Sequence, residues 1–115
     1  MNENKPFLLN VNIPKYLSTR NCFLEPLSTD HLQLDYEAVM ESKNFLRLWS
    51  KSTWPDDHFQ LEDNLKDLQN HDWEHQNRIA FTYTILNPGK NQCLGCIYIN
   101  PNQRITAVTE NERIL

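Results

Sequence analysis

The chain has 115 residues, 39% hydrophobic, 23% charged and 10% aromatic, which is enough for one core and short of the length at which chains divide into domains. A net charge of −4 and the lack of any Lys/Arg stripe argue against nucleic-acid binding, because phosphate affinity rests on clustered cations. No apolar run nears the ~20 residues that cross a bilayer, and the polar start Met1 to Lys5 precedes no signal-peptide core, so a cytoplasmic chain with no membrane partner is expected.

In chain order, residues 1–18 place Pro6 and Pro14 on either side of Phe7-Leu8-Leu9, which reads as an arm, loosely ordered or docked on the body through its Phe and Leu residues. The main domain is expected over 19–101. Arg20 to Leu27 is short, partly apolar and stopped by Pro26, which suits a first edge strand. Ser28-Thr29-Asp30 supplies side-chain oxygens for a helix start. Leu32, Tyr36, Val39 and Met40 then form one apolar stripe, predicting an amphipathic helix over Asp30 to Glu41 with His31, Asp35, Glu37 and Glu41 largely outside the stripe. A second helix is predicted at Asn44 to Ser50, with Phe45, Leu48 and Trp49 as its apolar face, before Ser52-Thr53-Trp54-Pro55 breaks it. A third, from Phe59 to His75, carries the stripe Leu61, Leu65 and Leu68.

After Arg78 the period changes to two. Ile79, Phe81, Tyr83 and Ile85 share one face of a strand, and Ala80, Thr82, Thr84 and Leu86 share the other. Asn87-Pro88-Gly89-Lys90-Asn91 is turn chemistry, with Pro presetting one dihedral and Gly accepting the next. Cys93 to Asn100 returns as a second strand in which Gly95 predicts a bulge. The tail, 102–115, is polar with one β-rich stretch, Ile105 to Thr109. The expected class is α+β: an N-terminal strand, two or three helices, then an antiparallel β meander.

Over about Arg20 to Pro101 this sequence resembles the N-terminal half of the GNAT superfamily of acyl-CoA-dependent N-acyltransferases. The resemblance rests on Cys22-Phe23-Leu24-Glu25-Pro26-Leu27 followed by Ser28-Thr29-Asp30-His31, on Phe45-Leu46-Arg47-Leu48-Trp49, on Ser52-Thr53-Trp54-Pro55, and on the hairpin ending Leu94-Gly95-Cys96-Ile97-Tyr98-Ile99-Asn100-Pro101. It implies a partial GNAT-like fold. In that family a glycine-containing loop at a later helix start presents backbone amides to the cofactor pyrophosphate. No glycine follows Gly95 here, and Arg104 and Arg113 are the remaining basic residues. The resemblance therefore implies no cofactor-binding residue within the chain and carries over no catalytic residue, leaving that call open, with acetyl-CoA as the donor if GNAT activity is retained through a partner or the tail. On the acceptor side it points to Trp49, Trp54, Asp56, Asp57, Tyr83 and Tyr98 as residues around a small-molecule amine. For Trp49, Tyr83 and Tyr98 the simpler reading, and the preferred one for each, is a core aromatic. A non-enzymatic interaction module is the alternative, with a homodimer formed through an exposed sheet edge.

Two further patterns bear on chemistry. His71 and His75, at i and i+4 with Asp67 one turn earlier, have metal-site spacing, but they end a polar helix with no second shell, and no metal is expected. Cys93 and Cys96 have C-x-x-C spacing within a strand, where residues three apart face opposite sides, so they read with Cys22 as small buried thiols rather than a redox or zinc pair.

Overall fold

The computed structural model describes residues 6–100 and 106–109; the rest of the predicted tail, 102–105 and 110–115, lies outside the described residues. Five antiparallel strands stand in sequence order: β1 (Leu17–Ser18), β2 (Phe23–Pro26), β3 (Phe81–Leu86), β4 (Cys93–Ile99) and β5 (Thr106–Thr109). Three helices lie between β2 and β3: α1 (Leu32–Glu41), α2 (Lys43–Ser50) and α3 (Leu61–Gln76). This is the expected α+β order. Among the described residues no helix is long and apolar enough to cross a membrane.

The predicted first strand is not an edge. β2 pairs with β3 on one side and with β1 on the other. Pro26 is tolerated because β1 reaches only Phe23 and Leu24, so the missing N–H falls where no neighbour requires it.

Ser28 begins the helical region as expected, through an unusual reciprocal cap. Its Oγ accepts from the Asp30 amide at 3.2 Å, while His31 Nδ1 accepts from the Ser28 amide at 3.0 Å. That leaves the Nε2–H to donate to Glu25 Oε2 at 2.5 Å, tying the short 3-10 turn Thr29–His31 to β2. Ser42 ends α1 and opens α2. The α2 face differs from the prediction: Leu46 is buried, whereas Leu48 is 80% exposed. α3 starts at Gln60, whose amide donates to Asp63 Oδ2 at 2.9 Å. Its inward face differs in part: Leu68 is buried as expected, but Leu61 is exposed and Asn64 is buried.

The predicted hairpin forms between β3 and β4, but the left-handed residue of its turn is Lys90 (φ 57°), not Gly89. Asn87 closes the turn by accepting from the amides of Asn91 and Gln92 through Oδ1 at 2.9 and 3.0 Å. The bulge expected near Gly95 is present: Ile85 pairs with Gly95 and Leu86 with Cys93, leaving Leu94 as the extra residue.

Every β3 residue is buried because both faces of that strand are covered. On one face Leu27, Leu68 and Cys96 form a core with Leu32 and Tyr98 packed against it. On the other lies the N-terminal arm. Phe7 meets Phe81 with ring centroids 5.2 Å apart, the Tyr83 hydroxyl donates to Pro14 O at 2.7 Å, and the Arg78 guanidinium donates to the carbonyls of Leu8 and Val11. The arm docks as expected through Phe7, while Leu8 and Leu9 remain exposed.

Candidate functional site

The helix-side face of the sheet is read from register. Thr82 pairs with Tyr98, Thr84 with Cys96, and Leu86 with Cys93, so all six share one face. α1 adds Asp35 and α3 adds Asn64, Asp67 and His71. Of these, Cys93, Cys96 and Tyr98 with the four helix side chains, together with Phe45 of α2 and Trp54, line a cleft of about 320 Å³. No lysine or arginine lines it among the described residues.

Asp35 is the centre of this cleft. It is 6% exposed, and both carboxylate oxygens accept: Oδ2 from Asn64 Nδ2 at 2.9 Å, Oδ1 from Cys96 Sγ at 3.9 Å. Burial raises its pKa above the ordinary carboxylate range, partly offset by the Asn64 hydrogen bond and by His71 and His31. Asp67, less buried, is raised for the same first reason and is drawn back by His71. The His71 ring lies 3.3 Å from Thr82 Oγ1 through Nδ1, and its centroid is 5.9 Å from that of Tyr98. Burial, with Cys96 and Asp35 nearby, pushes the Tyr98 hydroxyl well above its usual value, so it stays protonated.

Of the residues expected from sequence, the structure brings Trp49 and Tyr98 together in a stacked pair at 6.4 Å. Trp54 lines the cleft and meets Phe59 edge-on at 6.0 Å. Asp57 is turned to Arg47 Nη2 at 2.8 Å and Lys43 Nζ at 3.8 Å, and these cations hold its carboxyl below the ordinary range. Asp56 accepts from the His58 amide at 2.8 Å. Tyr83 is on the opposite face, against the arm, with burial raising its hydroxyl.

The sequence reading missed Asp35 and Asn64. Asp35 stands three residues after Leu32 and four before Val39, which is on the apolar stripe rather than outside it. His31 is also buried, at 7% exposure, because its ring closes the helix cap. Cys93 and Cys96 require a second correction: they share a face. The bulge at Leu94 adds a residue between them and reverses the alternation. Among the described residues no group of three His, Cys, Asp or Glu side chains is placed to hold a metal ion. His71 turns toward Thr82, and His75 sits edge-on to Phe81 and Tyr83 at 5.0 and 5.5 Å, where burial lowers its pKa.

No protein-family model matches the sequence, and no curated protein matches it. Solved structures do match in fold. A ribosomal-protein-S5-alanine acetyltransferase from Vibrio fischeri superposes with a TM-score of 0.68 at 11% identity, over 86% of this chain and 60% of that one. RimL, a ribosomal L7/L12 alpha-N-protein acetyltransferase in complex with coenzyme A, superposes with a TM-score of 0.67 at 19% identity, over 89% of this chain and 59% of that one. The GNAT-like fold expected from sequence is thus the observed fold, and the chain spans about three fifths of the length of the acetyltransferases it matches.

Proposed function

We propose that this is a GNAT-like acetyltransferase-related chain whose helix-side cleft holds the amine that accepts the acyl group. The observation that supports this reading is Asp35: a buried carboxylate whose two oxygens both accept hydrogen bonds, in a cleft with aromatic walls and no lysine or arginine among the described residues. Such a site favours an organic ammonium, which a carboxylate attracts and ring faces stabilise. Asp35 and Asp67 supply the charge, and Trp54 and Tyr98 the apolar wall, with Trp49 stacked behind Tyr98. Asp56, Asp57 and Tyr83 are engaged elsewhere and are left out of the amine's contacts. An amine attacks a thioester only as the neutral base, and a carboxylate whose proton affinity is raised by burial can hold the proton it gives up.

Acetyl-CoA is the acyl donor that the fold implies. Its pyrophosphate is assigned here to residues other than the described ones, a reading supported by the capping boxes that engage amides at the Ser28 turn and at the start of α3. This reading therefore assigns the chain the acceptor side, in the cytoplasm, with donor-binding residues supplied from elsewhere. A second copy paired along β5, whose described partner is β4 alone, is the alternative role for the same fold. Light scattering tests it, since a monomer at micromolar concentration would remove that alternative.

Calorimetry with 2-phenylethylamine tests the amine site. Binding is expected, with 2-phenylethanol and the Asp35→Asn variant each weaker by about tenfold or more, one charge-assisted contact being worth at least ~1.4 kcal/mol. Equal heats for the amine and the alcohol would overturn the reading. Acetyl-CoA is expected to give no heat with this chain alone, and micromolar binding would move the donor site into it.

A further inference from the structure

Three features of β4 converge on a chemistry that the amine reading does not use. The first is position. Cys93 stands opposite Leu86 and Cys96 opposite Thr84, two residues apart on β3, so the cysteine Cα atoms are separated by about two rungs of the ladder, roughly 6.6 Å. That is the long end of the ~4.4–6.8 Å range over which a disulfide forms, whereas a regular strand would hold residues three apart at ~10 Å and on opposite faces.

The second feature is access. Both residues are 8% exposed, yet both line the cleft, so a small molecule entering it meets their side chains.

The third is proton handling. Cys93 Sγ lies 3.5 Å from Thr84 Oγ1 and 3.6 Å from Gly95 O, and Cys96 Sγ lies 3.9 Å from Asp35 Oδ1. Hydrogen bonding with Cys96 holds the Cys93 thiol below its usual value despite burial. The same interaction, with burial, pushes Cys96 up. Cys93 thus has the more acidic thiol of the two, and Cys96 sits beside a carboxylate able to take its proton.

We infer that Cys93 and Cys96 form a thiol–disulfide exchange site that takes a low-molecular-weight disulfide as oxidant and closes to a Cys93–Cys96 disulfide on the cleft wall. In the first step the Cys93 thiolate attacks one sulfur of the incoming disulfide. Its S–S bond breaks, one thiolate leaves, and a mixed disulfide remains on Cys93. In the second, Cys96 passes its proton to Asp35 and attacks the Cys93 sulfur, expelling the second small thiolate. Two electrons pass from the cysteine pair to the small disulfide, and the two cysteine protons end on the two released thiols. Lining a cleft that a small thiol can enter, the bridge is a reversible element and not a structural staple. Closure also removes the S–H that Asp35 Oδ1 accepts.

The site is tested by exposing the reduced, folded chain to glutathione disulfide, unfolding it in urea with N-ethylmaleimide, and mapping the peptides by mass. The expected product has Cys93 and Cys96 joined, lighter by two hydrogens and unalkylated. Cys22, buried and bonded to Thr19, should carry the maleimide, and mild reduction should return both thiols. The Cys96→Ser variant should stop at one glutathione on Cys93. Three alkylated cysteines in the wild-type chain, under conditions that oxidise a peptide dithiol, would overturn the inference. So would oxidation that engages Cys22 as readily as the pair. The wild-type map decides between these outcomes without any variant having to fold, and it does not depend on whether an amine binds.

Discussion

Replacing Asn64 with alanine isolates the contact that holds the buried carboxylate of the cleft. Asn64 is 2% exposed and donates to Asp35 Oδ2 at 2.9 Å. A hydrogen bond to a charged group contributes about 1.5–3 kcal/mol, and truncation also leaves a small void, so the expected loss is about 2–4 kcal/mol. With a urea slope of about 2 kcal/mol per molar, the middle of the range for small proteins, the unfolding midpoint should fall by about 1–2 M. The loss should also depend on pH in a definite direction. The Asn64 bond lowers the Asp35 pKa, so its removal raises the folded-state value further above the unfolded one. The deficit is then largest where Asp35 is ionised in both proteins, and it shrinks as pH falls through the folded-state values of the variant and then the wild type. Urea titrations from mildly acidic to mildly alkaline pH measure both quantities. A loss below about 0.5 kcal/mol, the range of an ordinary surface substitution, or a deficit unchanged with pH, would refute the claim that Asn64 holds a carboxylate.

The Leu68→Ala variant should lose about 2–5 kcal/mol in urea unfolding, because Leu68 is 1% exposed at the centre of the helix-side core. Tyr83→Phe should cost about 0.5–1.5 kcal/mol and speed proteolysis of the N-terminal arm, since its hydroxyl donates to Pro14 O at 2.7 Å; an unchanged digestion rate would count against a docked arm. In the wild type, Asp35 has a folded pKa above its unfolded one, so the native state binds the extra proton. Its contribution therefore falls as pH rises from the unfolded value through the folded value and is constant beyond. Asp35→Asn should flatten that part of the stability profile, leaving a slope of the same sign from Asp67.

The elements were legible in the sequence where local chemistry decides them. The alternation from Ile79 to Leu86, the Asn87-Pro88-Gly89 turn and the Ser28 cap each appear where periodicity or turn residues put them. The site was less legible, for three separate reasons. Asp35 occupies a stripe position, but a carboxylate there is assigned outward unless its partner, Asn64, is known 29 residues away. The inward side of α3 is polar, Asn64 and His71 around Leu68, so a reading by leucines alone rotates the helix and turns Leu61 inward. Gly95 did signal a bulge, but its consequence, that Cys93 and Cys96 come to one face, follows only from the register against β3. Trp49 and Tyr98 were both anticipated, while their stacking depends on how α2 crosses β4.

The buried Asp35–Asn64 pair also separates stability from function. A carboxylate at 6% exposure carries a desolvation cost that its hydrogen bonds offset only in part, as its raised pKa records. Replacing both partners together with leucine removes the charge, the amide and the unsatisfied-group penalty that burdens either single variant. The Asp35→Leu/Asn64→Leu double variant should therefore be less destabilised than the sum of its two singles, by about 1–3 kcal/mol, and should still give one cooperative transition. The same variant should bind 2-phenylethylamine about tenfold or more weakly, because the apolar walls at Trp54 and Tyr98 remain while the buried carboxylate of Asp35 is gone and Asp67 alone supplies charge. If the double variant folds and still binds the amine as wild type does, the carboxylate is only a satisfied core polar group, and the ammonium must be recognised elsewhere. If it folds and binding is weakened to that extent, the cleft keeps a polar pair that folding does not need, which is the pattern expected where a fold gives up stability to hold a ligand.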